Sequence, residues 1–224
     1  MHSIREQVEY LSEFVTDYKN DLFTRLVNER TSYVTMVLED LYQEHNCSAV
    51  LRSCDCFGIQ NVHIIEGENS FHDNSEISMG ASDWLTIHRH RQKENNTIEA
   101  IETLRAQGYR IIATTPHERD TNIDQLDLQA GKMAFFMGTE LTGLSDEVLA
   151  RADEFVKVPM YGFTESYNVS VCAALLMYSV VQRLRQTDID WHLSEEERER
   201  VLFTWYKRSV KASKQILERF NQNQ

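Results

Sequence analysis

Apolar residues recur along this chain at two alternating periods, and the alternation predicts its architecture. From residue 3 to about 28, Ile4, Val8, Leu11, Val15, Tyr18 and Leu22 fall at three- and four-residue intervals, which predicts one amphipathic helix with Glu6, Glu9, Glu13 and Asp17 on its polar side. Tyr33 to Leu38 then reads as a strand. Glu44 to Gly58 predicts a helix with Asn46 near its cap and Arg52 two turns in. A strand at Val62 to Ile65, an extended segment near Trp84 to His88, a helix from Thr97 to Gln107 opened by Asn96 with Glu99 three residues on, and a strand at Arg110 to Thr114 follow. Met133 to Met137 and Glu154 to Val158 read as two more strands, separated by a brief helix from Ser145, and an apolar helix begins at Asn168. Ser194 and Glu197 form a capping-box pattern that opens a last helix running to about Phe220, with Lys207, Lys211 and Lys214 spaced to share one face. Alternation of this kind predicts an α/β fold, a mainly parallel sheet with helices on both faces, flanked by N- and C-terminal helices.

The stretch from Met133 to Val181 holds three of the eight glycines and one of the two prolines, so two strand ends open into glycine-bearing loops close together in sequence. In α/β sheets, ligands gather at such strand C-termini, where loops present backbone N–H and C=O groups. No strand is followed by GxGxxG or GxxxxGK[ST], so neither a dinucleotide site nor a P-loop is supported.

With 224 residues and 42% hydrophobic content, the chain can bury a full core, and the scarcity of glycine and proline leaves little room for linkers. Division into an N-terminal helical extension (1–30), a central domain (31–186) and a C-terminal helical extension (187–224) is expected. No apolar run has the length of a membrane span and the N-terminus lacks a signal-peptide core, so a cytoplasmic protein is expected. Cys47, Cys54, Cys56 and Cys172 read as reduced core thiols, and no His/Cys cluster has metal-ligand spacing, so no metal is expected. The net charge of −12 argues against indiscriminate polyanion binding but leaves room for local basic stripes. Two candidates exist: His88, Arg89, His90, Arg91 and Lys93, and the Lys207, Lys211, Lys214 face with Arg208.

Three blocks carry a family resemblance. Asn46 to Gly58 (NCSAVLRSCDCFG) resembles motif 1 of the SpoU (TrmH-type) RNA ribose 2′-O-methyltransferases, Met137 to Ser145 (MGTELTGLS) resembles motif 2, and Val158 to Val171 (VPMYGFTESYNVSV) resembles motif 3. The blocks stand in the family's order and spacing and cover roughly residues 30 to 182. The resemblance implies the SPOUT fold, with a deep trefoil knot over about residues 133–181, and a homodimer paired through the knot region. It implies S-adenosyl-L-methionine bound by the loops at Thr114 to His117, Gly138 to Glu140, Val158 to Met160 and Ser166 to Asn168. The cofactor residues expected are Thr114, Thr115, Gly138, Glu140, Val158, Met160, Tyr167 and Asn168. Tyr167 stands where relatives commonly have Leu.

The reaction implied is methylation of a tRNA ribose 2′-hydroxyl, with the D-loop guanosine at tRNA position 18 as the expected target. Catalytic roles fall on Arg52, Asn46, Glu140, Ser166 and Asn168, and RNA contacts on Arg52, Lys207, Lys211 and Lys214. Activation of the hydroxyl is assigned to Arg52, yet a guanidinium, with a pKa above about 12, is not an ordinary base. Either a substrate phosphate assists deprotonation, or Arg52 stays cationic and stabilises a developing alkoxide. The alternatives are a ribose methyltransferase for another tRNA position or rRNA, and a noncatalytic RNA-binding knot protein.

Overall fold

The computed structural model describes residues 2–41, 43–92, 94–116 and 120–222, so Lys93 and His117 of the expected basic run and cofactor loop lie outside the described residues. Two compact units form, one from residues 1–31 with 192–224 and one from residues 32–191.

The N-terminal segment is two helices rather than one, α1 (Ile4–Ser12) and α2 (Asp17–Val27). Thr16 is extended, at φ −74° and ψ 154°, and its hydroxyl accepts from the Lys19 N–H. A threonine that caps the next helix cannot also propagate the previous one, so the apolar stripe is continuous in sequence but broken in the backbone.

The central unit runs β1 (Val34–Glu39), α3 (Glu44–Phe57), β2 (Asn61–Ile65), α4 (Ser75–Ser78), β3 (Thr86–His90), α5 (Asn96–Ala106), β4 (Arg110–Thr114), β5 (Thr121–Asn122), β6 (Met133–Met137), α6 (Asp146–Leu149), β7 (Glu154–Lys157) and α7 (Val169–Leu184). All the strands lie in one sheet of order β3-β2-β1-β6-β4-β7-β5, and every pairing is parallel. Alternate strand residues face opposite sides. Met36, Leu38, Ile64, Phe135 and Ile112 join Val50, Leu51 and Cys54 of α3 and Leu176 and Val180 of α7 in one core, while Val37, Ile65, Phe136 and Ala113 join Ile101 and Leu104 of α5 and Val148 of α6 in the other. Helices therefore cover both faces, as the alternation predicts. β5, with two residues, is too short to leave a periodic signal.

Two predicted caps move. Gln43, not Asn46, precedes α3, and Asn46 lies in the first turn at 4% exposure. Asn95 caps α5 by accepting from the Ile98 N–H, while Asn96 donates to the Glu66 carbonyl. No disulfide joins the four cysteines, and Cys56 is exposed instead of buried.

Part of the basic run at β3 is engaged internally, while Arg91 is exposed. Arg89 forks onto the Glu66 carboxylate, and His90 is buried between His63 and Glu99. Glu99 accepts from His90 Nδ1, which leaves His90 Nε2 to accept from His63 Nδ1 at 2.9 Å. Burial, with His88 and His90 adjacent, lowers the His63 pKa from 6.5 to about 3. The unfolded chain therefore takes up a proton below pH 6.5 that the folded chain refuses until about pH 3, and stability falls as pH falls through that window. This histidine alone accounts for up to about 1.4 kcal/mol per pH unit. His63→Leu should flatten the slope of denaturation free energy between pH 6 and pH 4 by close to one proton; an unchanged slope would refute the assignment.

The C-terminal segment is also split, into α8 (Glu195–Ser209) and α9 (Ser213–Gln222). Val210 is extended and Ala212 has φ 58°, so Lys207 ends α8, Lys211 sits in the break and Lys214 opens α9. The three lysines share no helical face, contrary to their spacing. The terminal unit is built on aromatic contacts, with Phe23 5.5 Å from Trp205 and 5.1 Å from Tyr206, whose hydroxyl donates to Asn20. Residues 1–31 and 192–224 carry eleven acidic and eleven basic side chains, so the whole net charge of −12 belongs to residues 32–191.

Candidate active site

An all-parallel sheet places every strand C-terminus on one edge. The chain lays down β1, β2 and β3 outward, then crosses back to β4, and β6 fills the gap between β1 and β4. Ligand sites form where strand order reverses in this way. Here the loops after β4, β6 and β7 enclose a cavity of about 370 Å³, within the range of small-ligand sites. Thr114, Thr115, Gly138, Glu140, Val158, Met160, Ser166 and Tyr167 all line it. The Thr114 hydroxyl is buried with no hydrogen-bond partner among the described residues. Tyr167 donates from its hydroxyl to the Pro159 carbonyl at 3.1 Å and so ties the two sides of this loop together.

The wall after β6 is a tight turn. Thr139 and Gly143 exchange backbone hydrogen bonds at 3.0 and 3.1 Å, and Gly143 has φ 71°. A Cβ on Gly138 would lie 2.2 Å from the Gly143 carbonyl oxygen, so only glycine fits there. The turn ends at Ser145, whose N–H and hydroxyl donate to the buried Glu39 carboxyl at 2.9 and 2.7 Å. Glu39 was not singled out from the sequence, because an acidic residue at a strand end reads as the start of a solvated loop.

A polar hub borders the cavity. Asn46 donates to Glu140 at 3.1 Å and to Gln43 at 2.8 Å, and accepts from Asn168 at 3.0 Å. Asn168 also donates to Glu140 at 2.8 Å, while its oxygen caps α7 by accepting from the Ser170 and Val171 N–H groups. Both amide protons of Asn46 and of Asn168 are thus engaged within the protein, which makes this trio an organiser of α3, the turn and α7. Three residues drawn from separated motifs are brought together by the fold.

Arg52 is exposed on α3, outside the cavity lining, and makes no hydrogen bond or ion pair with the described residues. Ser166 is exposed at the cavity. Lys207, Lys211 and Lys214 belong to the terminal unit and are exposed there. Cys172 lines the cavity, but burial pushes its thiol up to about 11, so it serves as wall and not as nucleophile. Among the described residues, no group of three or more His, Cys, Asp or Glu could hold a metal ion, and no helix is long and apolar enough to cross a membrane.

Comparison with known proteins matches this geometry. A tRNA (guanosine(18)-2′-O)-methyltransferase of Borreliella burgdorferi is 41% identical over 208 residues, covering 93% of each chain. Among solved structures, the TrmH/SpoU tRNA modifying enzyme of A. aeolicus superposes with a TM-score of 0.76 at 25% identity, covering 87% of this chain and 98% of that one. AviRb from Streptomyces viridochromogenes, a SpoU methyltransferase solved in complex with AdoMet, shares the fold at a TM-score of 0.61 and 21% identity, over 72% of this chain and 64% of its own. The SpoU rRNA Methylase family model matches residues 33–178, and the chain belongs to that family.

Proposed function

We propose that the protein methylates the ribose 2′-hydroxyl of guanosine 18 in the D-loop of tRNA, using S-adenosyl-L-methionine, in the cytoplasm and as a homodimer. The observation that carries this reading is the cavity at the reversal point of the sheet, joined by Glu140 to the Asn46–Asn168 hub and bordered by the helix that bears Arg52. The extensive identity with a relative named for that nucleotide supports the target.

The lining fits the cofactor. Thr114 offers an unengaged hydroxyl, the Gly138 turn and the Val158 to Met160 segment bring backbone close, Leu141, Leu144 and Cys172 supply apolar wall, and Glu140 places a carboxylate at the rim for a cationic group. Bound there, the cofactor would supply an electrophilic methyl group on a sulfonium sulfur. The chain's part is to position the hydroxyl and stabilise the charge that develops on its oxygen. Arg52, exposed and unpaired among the described residues, is suited to contact the target nucleotide's phosphate or alkoxide as a cation. The terminal unit, neutral overall with Lys207, Lys211 and Lys214 exposed, is suited to tRNA phosphates.

The homodimer rests on α7. Its inner face buries Leu176, Met177 and Val180, while Val171, Leu175 and Tyr178 are 48%, 40% and 60% exposed along its outer face. The trefoil knot is proposed from the family likeness alone, and Arg183 of α7 ties that helix to the segment after β5 by donating to the Ile123 and Leu126 carbonyls. One experiment tests the reading: purified protein incubated with tRNA and labelled S-adenosylmethionine, with ribose methylation mapped by nucleotide and the mass of the same sample read by light scattering. Methylation at guanosine 18 by a particle of twice 26.2 kDa is expected. Label on another nucleotide would replace the target, no label would remove the activity, and a 26.2 kDa particle would remove the dimer.

A further inference from the structure

We infer that Glu39, at the C-terminal end of β1, is a positioning residue for the cavity turn. Its carboxyl is 5% exposed and accepts three hydrogen bonds: from the Ser145 N–H at 2.9 Å, the Ser145 hydroxyl at 2.7 Å and the Thr97 hydroxyl of α5 at 2.8 Å. The turn from Gly138 to Leu144 leaves β6 beside β1, where Leu38 pairs with Met137, and returns to β1 at Ser145. It is therefore held at both ends by neighbouring strands. Gly138 and the Gly143–Leu144 peptide are packed so tightly that movement of the far end is transmitted to the near one. Glu140 rides on this turn and is the acceptor shared by Asn46 and Asn168. Glu39 touches none of these groups. It acts through Ser145, fixing where the turn presents Glu140 and the backbone wall of the cavity.

The chemistry of the three donors sets the variants. An N–H only donates, whereas a hydroxyl can turn to accept. Glu39→Gln keeps an oxygen for the Ser145 N–H and offers an amide to the two hydroxyls, so it should retain the clamp. Glu39→Ala leaves a buried N–H unsatisfied and frees the end of the turn.

The first readout needs no ligand. Hydrogen exchange at the Thr139 and Gly143 amides, which bond across the turn, should quicken about tenfold in Glu39→Ala relative to the β6 amides and stay within about threefold of the parent in Glu39→Gln. Ser145→Ala, which loses the hydroxyl half of the clamp together with the α6 cap that the same oxygen makes to the Val148 N–H, should give about threefold and serves if Glu39→Ala does not fold. Thr35→Val removes another buried bond from β1, to the Asn61 carbonyl at 2.7 Å at the opposite end of the strand, and should leave the turn unchanged. The second readout rests on the function proposed above: S-adenosylmethionine affinity should weaken about tenfold in Glu39→Ala and within about threefold in Glu39→Gln. Unchanged exchange in Glu39→Ala, equal loosening in Thr35→Val, or a loosened turn with unaltered cofactor affinity would overturn the inference. If the parent protein takes up no S-adenosylmethionine, the cofactor reading falls and the exchange comparison still decides the role of Glu39.

Discussion

Arg52→Ala is expected to lower the single-turnover rate of methyl transfer about a thousandfold or more, the scale seen when a charge-stabilising donor is removed from an active site. The fold survives, because Arg52 is exposed and has no partner among the described residues whose loss could destabilise α3. Melting should shift by no more than about 2 °C, as expected for a surface substitution in a chain of this size. Cofactor affinity should stay within about threefold, since Arg52 lies outside the cavity lining. Arg52→Lys keeps one charge and loses the planar fork of donors, so it should recover little of the rate. An arginine with a structural role gives the opposite pattern, a lowered melting temperature with turnover preserved in whatever remains folded. Near-normal turnover by a folded Arg52→Ala protein would sink the mechanism.

Gly138→Ala should cost about a hundredfold in S-adenosylmethionine affinity, the scale of penalty that follows from displacing a binding wall by about 1 Å. The added methyl would sit 2.2 Å from the Gly143 carbonyl oxygen, 2.3 Å from its carbon and 2.5 Å from the Leu144 nitrogen, all of them backbone atoms that no rotamer change can move aside. Relief requires opening the Thr139–Gly143 bridge, which carries Glu140 away from Asn46 and Asn168. Gly162→Ala is the matched control, because its added carbon meets nothing within 4 Å. Calorimetric titration of both variants, alongside thermal melts, separates the two positions. Equal affinity in Gly138→Ala and Gly162→Ala would show that the turn does not form part of the cofactor wall.

The strands and the sequence blocks that build the cavity could be read in advance, and for definite reasons. A parallel sheet covered on both faces leaves near-continuous apolar runs such as Met133 to Met137, and glycine marks a turn that no other residue can enter. What escaped was set by interactions distant in sequence or by one local competitor. Thr16 and the Val210 to Ala212 break interrupt helices whose apolar periodicity runs on regardless, and the second break scatters lysines that spacing had aligned. Local pattern alone put Asn46 near a helix cap, and only the family resemblance grouped it with Glu140 and Asn168, to which its amide is committed across 94 and 122 residues. Glu39 was invisible for the same reason, its donors at Thr97 and Ser145 being fixed only when β1, α5 and the turn come together. His88 and His90 of β3 read as part of a basic stripe, but His90 is buried against His63 and Glu99 and His88 meets the Asn61 side chain.

The place of β6 between β1 and β4 governs how the chain must be made. Val34 pairs with Met133, so the inner edge of β1 stays open while the intervening residues are synthesised. At roughly 5–20 residues per second, a ribosome exposes that edge for on the order of ten seconds. During that interval the largely apolar segment Val34 to Leu38 can pair only with β2 on its other side, and its bare edge is a template for any passing strand. Rapid elongation to residue 133 shortens this exposure, and a pause before it lengthens it.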